Sequence, residues 1–182
     1  MALRRDAGQA AVTLAALVPA IARRHGSEDT LWNVGNVSLH PGGYSVVPGT
    51  ALLQVEYRDT HRTTLDLLTT ATEQEAHAFG AARGLDVEVL RAGTVSPASM
   101  DQKLTSELET AATALGAPFL FMKSGAGHDA MALADRIPCA LLFVPSVGGR
   151  SHSAAENTAA EDIVLGARVL ARAVETRLAG GS

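Results

Sequence analysis

The sequence predicts an α/β protein of two successive units. Three observations predict it. Helical patterns and strand patterns alternate along nearly all of the 182 residues, read from apolar positions three and four apart in some stretches and from alternating or short apolar runs in others. Hydrophobic residues make up 47% of the chain and charged residues 19%, which suits packed cores rather than disorder. Ser96-Pro97 then marks a boundary, giving units 1–95 and 96–182.

The first helix is expected over Asp6–Arg24, where Ala7, Ala10, Ala11, Leu14, Leu17, Val18 and Ile21 repeat at helical spacing. Pro19 falls inside it and should kink or shorten it. Arg23, Arg24 and His25 suit a helix C-terminus and Gly26 its cap, so His25 reads as a capping or solvent residue. Thr30–Leu39 reads as a strand with imperfect alternation. His40-Pro41-Gly42-Gly43 is a turn by composition, and His40 serves that turn. Ser45–Tyr57 contains a second strand, with Leu53, Val55 and Tyr57 on one face and Gln54, Glu56 and Arg58 on the other. The short turn between the strands predicts an antiparallel pair. Thr63–Arg83 follows as a helix with Leu65, Leu68, Ala71, Thr72, Ala76 and Phe79 near one face, and Gly84 ends it. His61 and His77 read as surface histidines. Val87–Leu90 is a short strand. Helix, strand, strand, helix, strand is the order of a ferredoxin-like βαββαβ unit without its first strand.

The second unit opens with a helix over Asp101–Leu115, striped by Leu104, Leu108, Ala111, Ala112 and Leu115. Pro118–Met122 is an apolar strand that runs into a small-residue loop carrying His128 and Asp129. A short helical pattern follows, then a second apolar strand, Ala140–Val144. That strand empties into another glycine loop with Ser151-His152-Ser153. Thr158-Ala159-Ala160-Glu161 fits a capping box for a last helix reaching Leu178. Ile163, Val164, Ala167, Leu170, Ala171 and Val174 are its expected buried face. Gly180-Gly181-Ser182 is a frayed tail.

Composition excludes several classes. A formal charge of −4 argues against nucleic acid or an anionic membrane as the main partner. No apolar run approaches the ~20 residues that span a bilayer, and the N-terminus lacks a signal-peptide pattern. A single cysteine, Cys139, excludes an internal disulfide and a Cys-rich zinc site. At the start of an apolar strand it reads as a buried small hydrophobe. A reducing, cytoplasmic setting is expected.

Ser124 to Glu156 is the stretch that the rest serves. Ligands in open α/β sheets bind at the carboxyl ends of strands, and His152 lies just past such an end, where a metal ligand is expected. On spacing alone, His128 and His152 are equally loop residues making ordinary hydrogen bonds. The motifs say more. Ser124-Gly125-Ala126-Gly127-His128-Asp129-Ala130 is followed by Phe143-Val144-Pro145-Ser146, Ser151-His152-Ser153 and Glu156. Together these resemble the zinc-dependent amidase family of N-carbamoyl-L-amino-acid hydrolases and allantoate amidohydrolases. That family is of the hydantoinase/carbamoylase type, within the dizinc aminoacylase and carboxypeptidase group. Further stations match in order. Met1 to Ala7 is similar to the end of the family's HAGTTPM-x-x-RRDA segment. Val34-Gly35, Ser45-Val46-Val47-Pro48-Gly49 and Tyr57-Arg58-Asp59 resemble its TVG, NVIPG and DIRD. The resemblance covers nearly the whole chain.

The resemblance implies a fold, a chemistry and a set of roles. Residues 1–95 become an incomplete ferredoxin-like α+β lid and dimerisation domain. Residues 96–182 become the C-terminal section of a dizinc-hydrolase α/β catalytic domain. An exposed strand arginine is usually just solvated, but the family uses the one at Arg58 to grip a substrate carboxylate in bidentate fashion. Its usual partner is the asparagine of NVIPG. Here Ser45 stands in that place, with one donor instead of two. His128 is assigned to substrate contact and His152 to a terminal zinc position. Glu156 is expected to orient the His152 loop. Such hydrolysis uses two zinc or manganese ions about 3.5–4 Å apart, a bridging carboxylate and a general base.

The remaining ligands and the base belong to a section of the family that would lie upstream of Met1. No catalytic residue is therefore expected in this chain, and a complete pair of metals is not expected to bind it. The expected substrate is a small carboxylate-bearing amide, and the expected assembly a homodimer through the lid. Two alternatives remain open. One is a truncated, non-catalytic dimerisation module; the other is an aminoacylase or dipeptidase of the same group.

Overall fold

Asp6 starts the first helix as its cap: its side chain accepts a hydrogen bond from the Gln9 N–H at 2.9 Å. Helix α1 then runs Ala7–His25. It continues through Pro19 instead of stopping there; the turns on either side are held by the packing of Val18, Ile21 and Ala22, which are buried. The computed structural model describes residues 4–180. Met1–Leu3 of the first motif and Gly181-Ser182 of the expected tail lie outside the described residues. The chain divides into two compact units, Met1–Pro97 and Ala98–Ser182.

In the first unit, β1 (Leu31–His40) pairs antiparallel with β2 (Thr50–Arg58), as the two alternations require. The pair forms the two-stranded sheet of the described residues. The imperfect alternation of β1 has a physical cause. A bulge between Val34 and Asn36 inserts Gly35 and changes the facing of every later residue. Trp32, Val34, Val37 and Leu39 thus share a face with Tyr57, Val55, Leu53 and Ala51. The connection is longer than the short turn expected: residues 41–49 separate the strands, closed by the Gly49 N–H on the His40 carbonyl at 2.9 Å. Helix α2 (Arg62–Arg83) ends at Gly84, which adopts the left-handed φ of 62° that glycine tolerates. α1 packs on α2 and on both strands, and α2 packs on β2. Val18 and Leu68 are the largest fully buried side chains.

Val87–Leu90 is not a strand. Leu85, Val87 and Val89 are half-buried and alternate with exposed neighbours, so the side-chain period is present. Among the described residues, however, no strand pairs with the segment, and a ladder needs a partner. Val87 instead closes against α2 at Gly80, where an added Cβ would lie 2.6 Å from its Cγ2.

In the second unit, α3 (Gln102–Ala114) is capped by Asp101, which accepts from the Leu104 N–H at 2.8 Å. α4 (Asp129–Leu133) is a single short turn and α5 runs Ala160–Ala179. Ala111, Ala112, Ala117, Val169 and Ala173 form the core, with Leu108, Leu115 and Leu165 against it. Five expectations fail here. Pro118–Met122 and Ala140–Val144 carry no strand and form no ladder among the described residues. Thr158 makes no capping box; Ala159 is the cap of α5 and has no side chain to offer. The expected face of α5 is also on the wrong side. Ile163, Val164, Leu170 and Val174 are exposed, while Val169 and Ala173 are buried. Finally, Cys139 is half-buried, with its thiol 3.5 Å from the Ile137 carbonyl.

Candidate substrate and metal site

Arg58 closes β2. Because side chains alternate along a strand, it projects to the sheet face opposite Tyr57, whose hydroxyl meets the Thr72 hydroxyl of α2 at 2.9 Å. The face of Arg58 is thus the one that the helices leave uncovered. Its guanidinium bonds the Glu56 carboxylate at 2.9 Å. This bond raises the arginine pKa above its ordinary value. Ser45 lies exposed in the β1–β2 connection, beside the fully exposed Tyr44.

The end of β2 is tied down by its neighbour. Asp59 turns away from solvent, its side chain 0% exposed. One carboxylate oxygen accepts from the Ser27 hydroxyl at 2.6 Å and the Thr30 hydroxyl at 2.5 Å. The other accepts the His61 N–H at 2.8 Å. Burial pushes the Asp59 carboxyl up, but these donors outweigh it and hold the pKa at about 2. Thr60 adds a bond to Asp29 at 2.7 Å. The loop before β1 and the loop before α2 are therefore clasped together directly beside Arg58. Arg58 is legible in the sequence, and this clasp is not. Its only local signal is a carboxylate flanked by hydroxyl residues of two loops, far apart along the chain.

In the second unit, His128 caps α4 in extended conformation. Its ring leans on Phe143, centroids 5.1 Å apart. Its Nε2 is buried and makes no hydrogen bond among the described residues, an expensive state for a polar atom. His152 sits in the second loop at φ 56°, a left-handed conformation that histidine adopts more readily than most side chains do. Its own N–H donates to the Glu156 carboxylate at 3.0 Å. The Ser146 hydroxyl bonds the Arg150 carbonyl across the same loop.

Among the described residues, no three His, Cys, Asp or Glu side chains converge as metal ligands would. Zinc is held by three or four such groups. His152, with Glu156 committed to a backbone N–H, does not make a metal site by itself. No helix is long and apolar enough to cross a membrane among those residues.

Residues 8–176 match the model of the family described as Peptidase family M20/M25/M40. The chain belongs to this family. A protein of Haemophilus influenzae described as an uncharacterized hydrolase is 34% identical over 96% of this chain and 42% of its own length. The N-carbamoyl-L-amino acid amidohydrolase of Geobacillus stearothermophilus is 32% identical over 93% of this chain and 41% of its own. An amidase of the hydantoinase/carbamoylase family from Burkholderia phymatum, a solved structure, superposes with a TM-score of 0.84 at 38% identity. That match covers 99% of this chain and 43% of the amidase. The α/β fold is therefore that of M20 family structures, and the resemblance read from the motifs extends along the chain. The chain spans about two fifths of the length of the curated relatives it matches.

Proposed function

We propose that the chain is part of a metal-dependent amidohydrolase that cleaves linear C–N bonds in N-carbamoyl-amino acids or ureido acids. Residues 1–95 act as lid and dimerisation domain on a ferredoxin-like plan, of which the described residues pair two strands. Residues 96–182 act as the last section of the catalytic domain. The observation that carries the reading is Arg58 on the uncovered sheet face of a chain matching the family over residues 8–176. A guanidinium so placed can meet a substrate carboxylate with two parallel hydrogen bonds. Ser45 would add one hydroxyl donor. The buried, unbonded Nε2 of His128 supports a role in contacting substrate.

His152 would be one terminal ligand in a site of two zinc or manganese ions whose other ligands lie outside this chain. When bound, those ions would supply the activated water of amide hydrolysis. Glu156 holds the His152 backbone and so fixes where its ring is presented. The general base also lies outside this chain.

Two measurements on the purified full chain test this. Metal content with zinc or manganese added should stay well below one tightly bound ion per chain, and N-carbamoyl-L-amino acids should not turn over. Two tight ions with rapid turnover would overturn the incomplete-site reading. N-carbamoylglycine should perturb the Arg58 side-chain NMR signals, and Arg58→Ala should abolish its binding at unchanged stability. Equal binding by the Arg58→Ala variant would sink the carboxylate role.

A further inference from the structure

The substrate clamp has a built-in occupant. Glu56 and Arg58 are two residues apart on β2, so both project to the same open face. The Glu56 Oε2 lies 2.9 Å from the Arg58 Nη2. The other carboxylate nearby, Asp59, is fully buried and committed to Ser27, Thr30 and His61, so it does not compete for the arginine. Across the ladder, Arg58 faces Leu31 and Glu56 faces Asn33, neither of them charged. Both members of the pair are about half exposed, at 44% and 54%, so an incoming ligand can reach them.

A carboxylate already sitting on the guanidinium is chemically the same ligand as the carboxylate of an N-carbamoyl amino acid. We propose that Glu56 is a positioning residue that occupies Arg58 until a substrate carboxylate displaces it. This rests on the reading of Arg58 as the carboxylate clamp. Glu56 holds the guanidinium on the open face in the ligand-free protein, and the substrate must replace that bond. An exposed pair of this kind is weak, so the exchange is easy. The cost falls on every ligand equally, but only a ligand with its own anionic group can recover it. A neutral amide displaces Glu56 without compensation. The pair thus sharpens selection for carboxylate-bearing substrates over neutral ones.

The test uses the full chain and the reactivity of Arg58 toward phenylglyoxal, followed by mass mapping of the Arg58 peptide. Wild type, Glu56→Gln, Glu56→Asp and Arg58→Lys are compared, with N-carbamoylglycine as protecting ligand and N-carbamoylglycinamide as neutral control. Glu56→Gln should react faster and should be half-protected at a concentration about two- to five-fold lower than wild type. Glu56→Asp should restore wild-type behaviour, and the neutral amide should protect none of them. Arg58→Lys serves as the blank for the peptide assignment. Equal half-protection of wild type and Glu56→Gln would overturn the role of Glu56 while leaving the clamp intact. Protection of neither form by the carboxylate would overturn the clamp and this inference together. The substitution lies on an exposed strand position, and unchanged circular dichroism confirms that each variant is folded.

Discussion

Replacing Asp59 by Asn should loosen the clasp beside Arg58 in a pH-dependent way. The carboxyl titrates ordinarily at 3.8 and at about 2 in the folded chain. A carboxylate depressed in the folded state contributes stability that is fully present above pH 3.8 and is lost as pH falls through about 2. The gap between those values corresponds to ~2.5 kcal/mol at most. Solvent near the loop hydroxyls trims this, so about 1–2 kcal/mol is expected at neutral pH. Asn keeps the shape and one acceptor but loses the charge that two hydroxyls and one N–H address. The chain has a single tryptophan, Trp32, on β1. Its fluorescence reports unfolding of the first unit alone. Urea titrations of wild type and Asp59→Asn at pH 7, 4 and 3 should show a gap of about 1–2 kcal/mol at pH 7 that narrows steadily below pH 4. A gap of the same size at pH 3 and pH 7 would refute the electrostatic account. No gap at pH 7 would refute the clasp itself.

Other outcomes follow from particular contacts. Leu68 is completely buried between α2 and the rest of the first unit, so Leu68→Ala should cost about 2–5 kcal/mol by the same urea assay. Gly84 adopts φ 62°, and Gly84→Ala should lose about 1 kcal/mol because a Cβ is strained there. Leu170 is half exposed on α5, so Leu170→Glu should change thermal stability by no more than about 0.5 kcal/mol.

The first unit was largely legible from sequence because most of its signals are local. The cap at Asp6, the stop at Gly84 and the period-two faces of β2 each rest on residues within a few positions of one another. The bulge at Gly35 was visible only as a fault in the alternation; the pairing register explains it. Val87–Leu90 marks the limit. Its alternation reports which side chains turn inward, but strand formation also needs a neighbour to bond, and that neighbour is not encoded in the four residues. Of the candidate site, the residue types were legible and their bonding was not. Glu56 and Asp59 flank Arg58 with similar chemistry, yet one reaches the arginine and the other is buried under two distant hydroxyls.

Helix α5 shows the same limit in its sharpest form. Apolar residues at helical spacing identify it as a helix, and it is one. They do not say which side is covered, because the helix carries two apolar stripes. Leu165, Val169 and Ala173 meet α3, and Gly166 lets Val144 approach so closely that an added Cβ would lie 2.5 Å from its Cγ1. Ile163, Val164, Leu170 and Val174 form the larger stripe by volume and stay exposed, as do Phe119, Leu120, Phe121 and Met122. Side-chain size would choose the wrong stripe, since bulk favours burial only when something is there to bury against. Small residues decide instead: alanine and glycine let the helices and the 140–144 segment come close. Under the proposed reading, the exposed stripe and the unpaired 118–122 segment belong to the interior of a larger catalytic domain. Burial of α5 on its second side would then accompany completion of the metal site. Solvent protection of Ile163–Val174 backbone amides and tight metal binding should therefore appear together or not at all.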